Sequence, residues 1–191
     1  MSRAAQWLTA ALCSLGFVTS ASCTDEVSQQ PRFSGESALQ YIAKQVSFGP
    51  RIIGHPAKQQ TLDYIRELVS PEADKLVVQP FQRYGLQGNN IWASFYPTDK
   101  SANSDNRIML GAHWDTRPIS DRDSNRELAA QPVIGANDGG SGVAVLLEIA
   151  RMLSTLRAPL IVDLVFFDLE DMGDIDNLPF SIGASEFVTK N

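Results

Sequence analysis

Two apolar strands that run straight into acids or a histidine, joined by an apolar helix, restrict the fold of this chain more than any other feature. Residues 160–167 are apolar apart from Asp163, the pattern of a strand buried on both faces. Residues 143–156, opened by the glycine-rich stretch 139–142, are apolar over most of the helical circumference, which marks a buried helix. Residues 107–111 form a shorter apolar strand leading into His113. Helices alternating with such strands predict an α/β layered sheet, with functional groups gathered at the carboxyl ends of the strands.

The remaining sequence is consistent with one domain of that kind. Residues 37–46 and 58–69 carry apolar side chains at helical spacing. Residues 76–84 and 90–96 read as strands, separated by Gly85 and Gly88. Residues 114–132 have no periodicity, and a loop that long inside a compact domain is usually functional or mobile. The 191 residues are 43% hydrophobic, enough apolar material for one globular core. A net charge of −6 without a basic patch argues against a nucleic-acid partner.

The first 22 residues read as an export signal peptide. Arg3 supplies a positive end, residues 7–18 an apolar core too short to span a membrane, and residues 19–22 the small side chains before a cut. Cys13 falls inside this leader and Cys23 at its edge, so the mature protein has no internal disulfide. The surroundings of Cys23 resemble a bacterial lipoprotein site, although Ser20 departs from that pattern; secretion with Cys23 as a free thiol is the alternative. The expected organisation is a leader over 1–22, a polar linker over 23–34 and a catalytic domain over 35–191. The expected location is the periplasm, with membrane contact only through a lipid on Cys23.

Three short segments carry the chemistry: His113-Trp114-Asp115, Asn137-Asp138-Gly139-Gly140-Ser141-Gly142, and Asp168-Leu169-Glu170-Asp171. An imidazole and carboxylates converging at strand ends suit zinc, which takes nitrogen and oxygen donors. His113 and Asp115 share one face of an extended chain, so Asp115 can orient the imidazole. The glycines after Asp138 let the backbone turn tightly and set that carboxylate at a helix N-terminus. Glu170 and Asp171 point apart, so that one can bind metal while the other moves a proton. Singly, each segment has a plainer reading: a hydrogen-bonded histidine, a glycine turn, or a solvated loop within the six acids of residues 163–176. A phosphate cradle is disfavoured, because no lysine follows the glycines and no strand immediately precedes them. Their order, each at the mouth of an α/β element, favours a metal site.

Together, Gly111-Ala112-His113-Trp114-Asp115-Thr116, Gly135-Ala136-Asn137-Asp138-Gly139 and Val165-Phe166-Phe167-Asp168-Leu169-Glu170-Asp171 resemble the zinc aminopeptidase and glutaminyl cyclase superfamily. The resemblance extends to Phe48-Gly49-Pro50-Arg51, Asn90-Ile91-Trp92-Ala93 and Ile182-Gly183-Ala184. It implies a zinc exopeptidase-like three-layer α/β sandwich with a mixed, mostly parallel sheet flanked by helices. It also implies Asp138 as a metal-binding aspartate, Asp171 as the next carboxylate ligand and Glu170 as general acid/base. His113 would bind a second zinc in a peptidase, with Asp115 as its orienting neighbour. A cyclase would use one Zn2+ and an aminopeptidase two, and the substrates would be peptide or protein N-termini.

Residues 116–132 and Glu170-Asp171-Met172-Gly173 look more like the bacterial cyclases, which convert N-terminal glutamine to pyroglutamate. An aminopeptidase that hydrolyses the first peptide bond is the alternative. The superfamily completes its zinc shell with a histidine well downstream of the Glu-Asp pair, whereas the two histidines here are His55 and His113. The expectation is therefore a C-terminally truncated chain with an exposed sheet edge, a defective metal site, weak zinc binding and negligible turnover. A non-catalytic exported remnant is the third reading.

Overall fold

The computed structural model describes residues 31–99 and 106–191. The expected leader over residues 1–22, with Cys13, and the lipidation candidate Cys23 lie outside the described residues. The elements are α1 (Gly35–Phe48), α2 (Pro56–Val69), β1 (Lys75–Arg83), β2 (Leu86–Phe95), β3 (Arg107–His113), α3 (Arg126–Ala129), α4 (Gly140–Leu153), β4 (Ile161–Phe167) and α5 (Ile182–Lys190). The strands form one mixed sheet in the order β1-β2-β4-β3. β3 and β4 are parallel, and the β1–β2 and β2–β4 pairings are antiparallel. The mixed α/β sheet is as expected, with one parallel pairing among the described strands rather than a majority.

Local chemistry accounts for the element boundaries. Ser34 caps α1 by accepting the Ser37 N–H, and His55 Nδ1 caps α2 by accepting the Ala57 N–H at 3.1 Å. With Pro56 in its first turn, α2 starts two residues before the position that apolar spacing indicated. The hairpin turns on Tyr84 and Gly85, both at positive φ (52° and 77°), a two-residue loop whose twist matches that of the strands. Gly88 does not separate strands: it sits inside β2 opposite Phe81, and a Cβ there would lie 2.3 Å from the Phe81 ring. The loop that lacked periodicity contains α3, a single turn capped by Asn125 and too short to show a repeat.

Alternation along the strands divides the sheet into two faces. Ile91, Ala93 and Phe95 of β2 and Val162, Leu164 and Phe166 of β4 meet Leu62, Ile65 and Val69 of α2 and Leu146, Leu147 and Ala150 of α4 in the main core. The opposite face carries Trp92 and Phe167, and Phe187 of α5 packs edge-on against both. Three layers result. β4 is buried along almost its whole length, as its apolar run required. Asp163, its one polar residue, is satisfied by Trp92 Nε1 (2.9 Å), Ser94 Oγ (2.6 Å) and Arg107 Nη1 (2.5 Å). Among the described strands β3 is an edge, and its Ile108 and Met109 are roughly half exposed. No helix of the described residues is long and apolar enough to cross a membrane.

Candidate active site

Because β3 and β4 run in parallel, their carboxyl ends emerge side by side, and the Trp114 N–H donates to the Phe167 carbonyl at 2.9 Å. This brings the three segments together. His113 ends β3 and Asp115 follows it, Glu170 and Asp171 follow β4, and Asp138 lies just before α4. His113 Nε2 lies 3.0 Å from Asp138 Oδ1. Its Nδ1 faces Asp115 Oδ1 at 3.6 Å and Glu170 Oε2 at 3.7 Å, attractive but beyond hydrogen-bond reach, and is buried without a hydrogen-bond partner among the described residues. Gly139, at φ +76°, makes the turn that sets Asp138 here; a Cβ on it would lie 2.7 Å from the Asp115 carbonyl oxygen.

Asp115 does more than sit beside the imidazole. Its buried carboxylate accepts the N–H groups of Glu170 (3.0 Å) and Asp171 (3.2 Å), so it fixes the backbone of the acidic loop. From the other side, the N–H groups of Ser181 and Ile182 donate to the carbonyls of Glu170 and Leu169. Glu170 is thus pinned through its backbone while its side chain stays 31% exposed. Asp171 is more enclosed. Arg117 Nη1 donates to the carbonyls of Asp171 (3.2 Å) and Gly173 (3.0 Å) and approaches Asp171 Oδ1 (3.4 Å). The same guanidinium forms a two-pronged pair with Asp121 (2.7 and 2.6 Å) within the loop after β3, so Arg117 is held where its bonds to Asp171 and Gly173 tie that loop to the acidic loop after β4.

Sequence reasoning singled out Arg51 only as part of a motif; the structure gives it a task. Its buried guanidinium donates to the carbonyls of Trp114 (2.7 Å), Ile134 (3.0 Å), Gly135 (2.7 Å) and Asp138 (3.3 Å). The segment carrying Asp138 is thereby fastened to the end of β3. A charged residue directly after Gly49-Pro50, between two amphipathic helices, was the available signal.

The charges interact strongly. Burial opposes a charged His113, but Asp115, Glu170 and Asp138 outweigh it and raise its pKa to about 9. Burial likewise opposes a charged Asp115, yet His113, Lys58 and the Glu170 N–H hold its carboxyl below the usual range. Burial, and then the charge of Asp138, push the Asp171 carboxyl up, with Arg117 opposing. A histidine held above its unfolded pKa of about 6.5 stabilises the fold fully below that pH, and the contribution disappears as pH rises through about 9. The metal-free protein is therefore expected to melt at lower temperature at about pH 9.5 than at about pH 7, and His113→Gln to flatten that dependence in thermal scans followed by circular dichroism. An unchanged slope in the variant would count against His113 as its source.

Asp138, Asp171 and His113 offer oxygen and nitrogen donors of the kind zinc takes. The donor set does not complete a shell, however. Among the described residues no group of three or more His, Cys, Asp or Glu side chains could hold a metal ion. His113 is turned onto Asp138, and Arg117 lies on Asp171. The described residues do not by themselves fit zinc.

Residues 90–191 match the family model described as Peptidase family M28. Among solved structures, the chain is similar to Tannerella forsythia glutaminyl cyclase, at 36% identity and a TM-score of 0.71, covering 81% of this chain and 55% of that one. It is similar to a Zn-dependent exopeptidase from Parabacteroides distasonis, at 35% identity and a TM-score of 0.73, covering 85% and 57%. Among curated proteins it is 28% identical over 115 residues to the alkaline phosphatase isozyme conversion protein of Escherichia coli, covering 56% of this chain and 33% of that protein. The chain thus spans about a third of the length of that relative and a little over half that of the similar solved chains.

Proposed function

The chain belongs to peptidase family M28, and from that premise we propose that it carries catalytic machinery of a zinc-dependent glutaminyl-peptide cyclotransferase. The observation that carries this reading is Glu170, whose backbone is locked by Asp115 and by residues 181–182 while its carboxylate stays accessible beside His113. In the proposed reaction Glu170 takes a proton from the α-amine of an N-terminal glutamine, and that nitrogen attacks the γ-carbonyl carbon. The C–N bond to the side-chain amide breaks, and Glu170 returns the proton to the departing nitrogen, which leaves as ammonia. The products are a pyroglutamyl peptide and ammonia. The similarity to glutaminyl cyclases supports this choice. An aminopeptidase in which His113 and Asp138 both face metal is the second reading, supported by the similarity to a Zn-dependent exopeptidase.

The two readings are separated by offering a glutaminyl peptide and a leucyl peptide to the protein expressed from its genomic reading frame in zinc-containing buffer. Ammonia with a pyroglutamyl product is expected. Free amino acids from both peptides would replace the cyclase reading with the peptidase one.

Zinc is the cofactor proposed on the family and its similar exopeptidases, with Asp138 and Asp171 as the carboxylate ligands and His113 a ligand in the two-metal reading. Since these side chains do not close a shell, the 191-residue polypeptide alone is expected to bind zinc no tighter than about 1 μM, about −8 kcal/mol, in calorimetric titration. Its turnover should be negligible. Tight stoichiometric zinc together with turnover would remove this part of the proposal. We also place the protein outside the cytoplasm, on the leader-like residues 1–22 with a lipid at Cys23. Membrane-fraction retention that survives Cys23→Ser would argue against that anchor.

A further inference from the structure

The carboxylate that opens the acidic loop has a partner on α2 that the proposed reaction does not use. Asp168 is fully buried. Its Oδ1 accepts Lys58 Nζ at 2.5 Å and the Leu169 N–H at 2.8 Å, and its Oδ2 accepts the Asn89 N–H of β2 at 2.8 Å. Its own N–H donates to Asn90 Oδ1 at 3.0 Å. Lys58 reaches this point from the first turn of α2 across the Trp114 ring, with its ammonium 4.6 Å from the ring centre.

Two buried carboxylates therefore bracket three consecutive amides: Asp168 takes that of Leu169, and Asp115 takes those of Glu170 and Asp171. The turn between them runs through Leu169 at φ 53°, a left-handed conformation that a leucine holds only when its surroundings impose it. A buried carboxylate needs hydrogen bonds and a nearby cation to remain where it is. Arg51 lies near Asp115, and Lys58, 14% exposed, is the cation in contact with Asp168.

We propose that Lys58 is a positioning residue: by anchoring the Asp168 carboxylate against the Leu169 amide, it sets the turn that presents Glu170 and Asp171. Its catalytic meaning rests on the reading of Glu170 as the proton carrier, whereas the geometry is testable without any reaction. In the full chain, free of metal and substrate, Lys58→Met is expected to speed amide hydrogen exchange at residues 169–171 by about tenfold or more while Leu164 and Val165 in β4 keep their protection. Lys58→Arg, which preserves a buried cation, is expected to stay within about threefold of the unsubstituted protein at the same amides. Unchanged exchange at 169–171 in Lys58→Met overturns the proposal. Equal loosening of the loop and of β4 also overturns it, because Lys58 would then be a general stabiliser. Should Lys58→Met fail to fold, Asp168→Asn carries the test, with the same loop-confined loosening expected and protection at 169–171 unchanged as the overturning result. Absence of cyclase activity leaves these readouts untouched, so the two failures are distinguishable.

Discussion

Arg51→Met is expected to lower the stability of the domain by about 3–5 kcal/mol, read as a shift of the urea midpoint followed by circular dichroism. The guanidinium is buried and donates to four carbonyls, those of Trp114, Ile134, Gly135 and Asp138. Burial lowers its pKa to about 10, with Asp115 and Asp138 opposing, so it remains charged near neutral pH. A methionine of similar length fills the space and leaves buried acceptors unpaired, each costing about 1–3 kcal/mol before relaxation. Lysine is not an adequate replacement, because one ammonium cannot reproduce a planar fork that reaches carbonyls at residues 114, 134, 135 and 138. A loss below about 1 kcal/mol would show that the network tolerates water in place of the guanidinium, and full recovery with Arg51→Lys would show that a single ammonium suffices.

Glu170→Gln should separate chemistry from folding. In protein expressed from the genomic reading frame, the turnover of a glutaminyl peptide is expected to fall by about 10²–10⁴, the range for loss of a general acid/base. KM should change little, since a neutral amide of the same shape still occupies the site. Stability should move by no more than about 0.5 kcal/mol. The structural reason is that the loop is held by the Glu170 backbone, whereas among the described residues the side chain accepts only a 3.3 Å hydrogen bond from Ser181 Oγ and lies 3.7 Å from His113. Turnover retained within about tenfold would move the proton transfer to another group.

These two substitutions also mark what could be read in advance. Glu170 stands in a strand-end acidic run whose chemistry is visible in the residues themselves, and the structure brings it together with His113, Asp115, Asp138 and Asp171. Arg51 carried no comparable signal, because its four acceptors are backbone carbonyls, chemically identical to those of every other residue. Gly88 is ambiguous in the sequence for a related reason: a glycine inside a strand and a glycine in a turn look alike until the Phe81 ring lies over the former. Asp163 interrupted an otherwise apolar strand, and its acceptability depends on Trp92, Ser94 and Arg107, which come from two other strands.

What the sequence by itself determined is local: the apolar periods of the helices and strands, the glycines that turn the chain into α4, and the acids and histidine at the two parallel strand ends. Those properties depend on neighbours a few residues away, which any folded form of this chain must respect. Only the tertiary structure decided which strand pairs with which, and which buried charge answers which partner. Lys58 meets Asp168 across 110 residues of chain, Arg51 reaches Asp138 across 87, and Asp115 holds the amide of Glu170 across 55. Hydrogen bonds and buried ion pairs act over about 3 Å of space and are indifferent to separation along the chain, so they appear only once the sheet has brought those segments together.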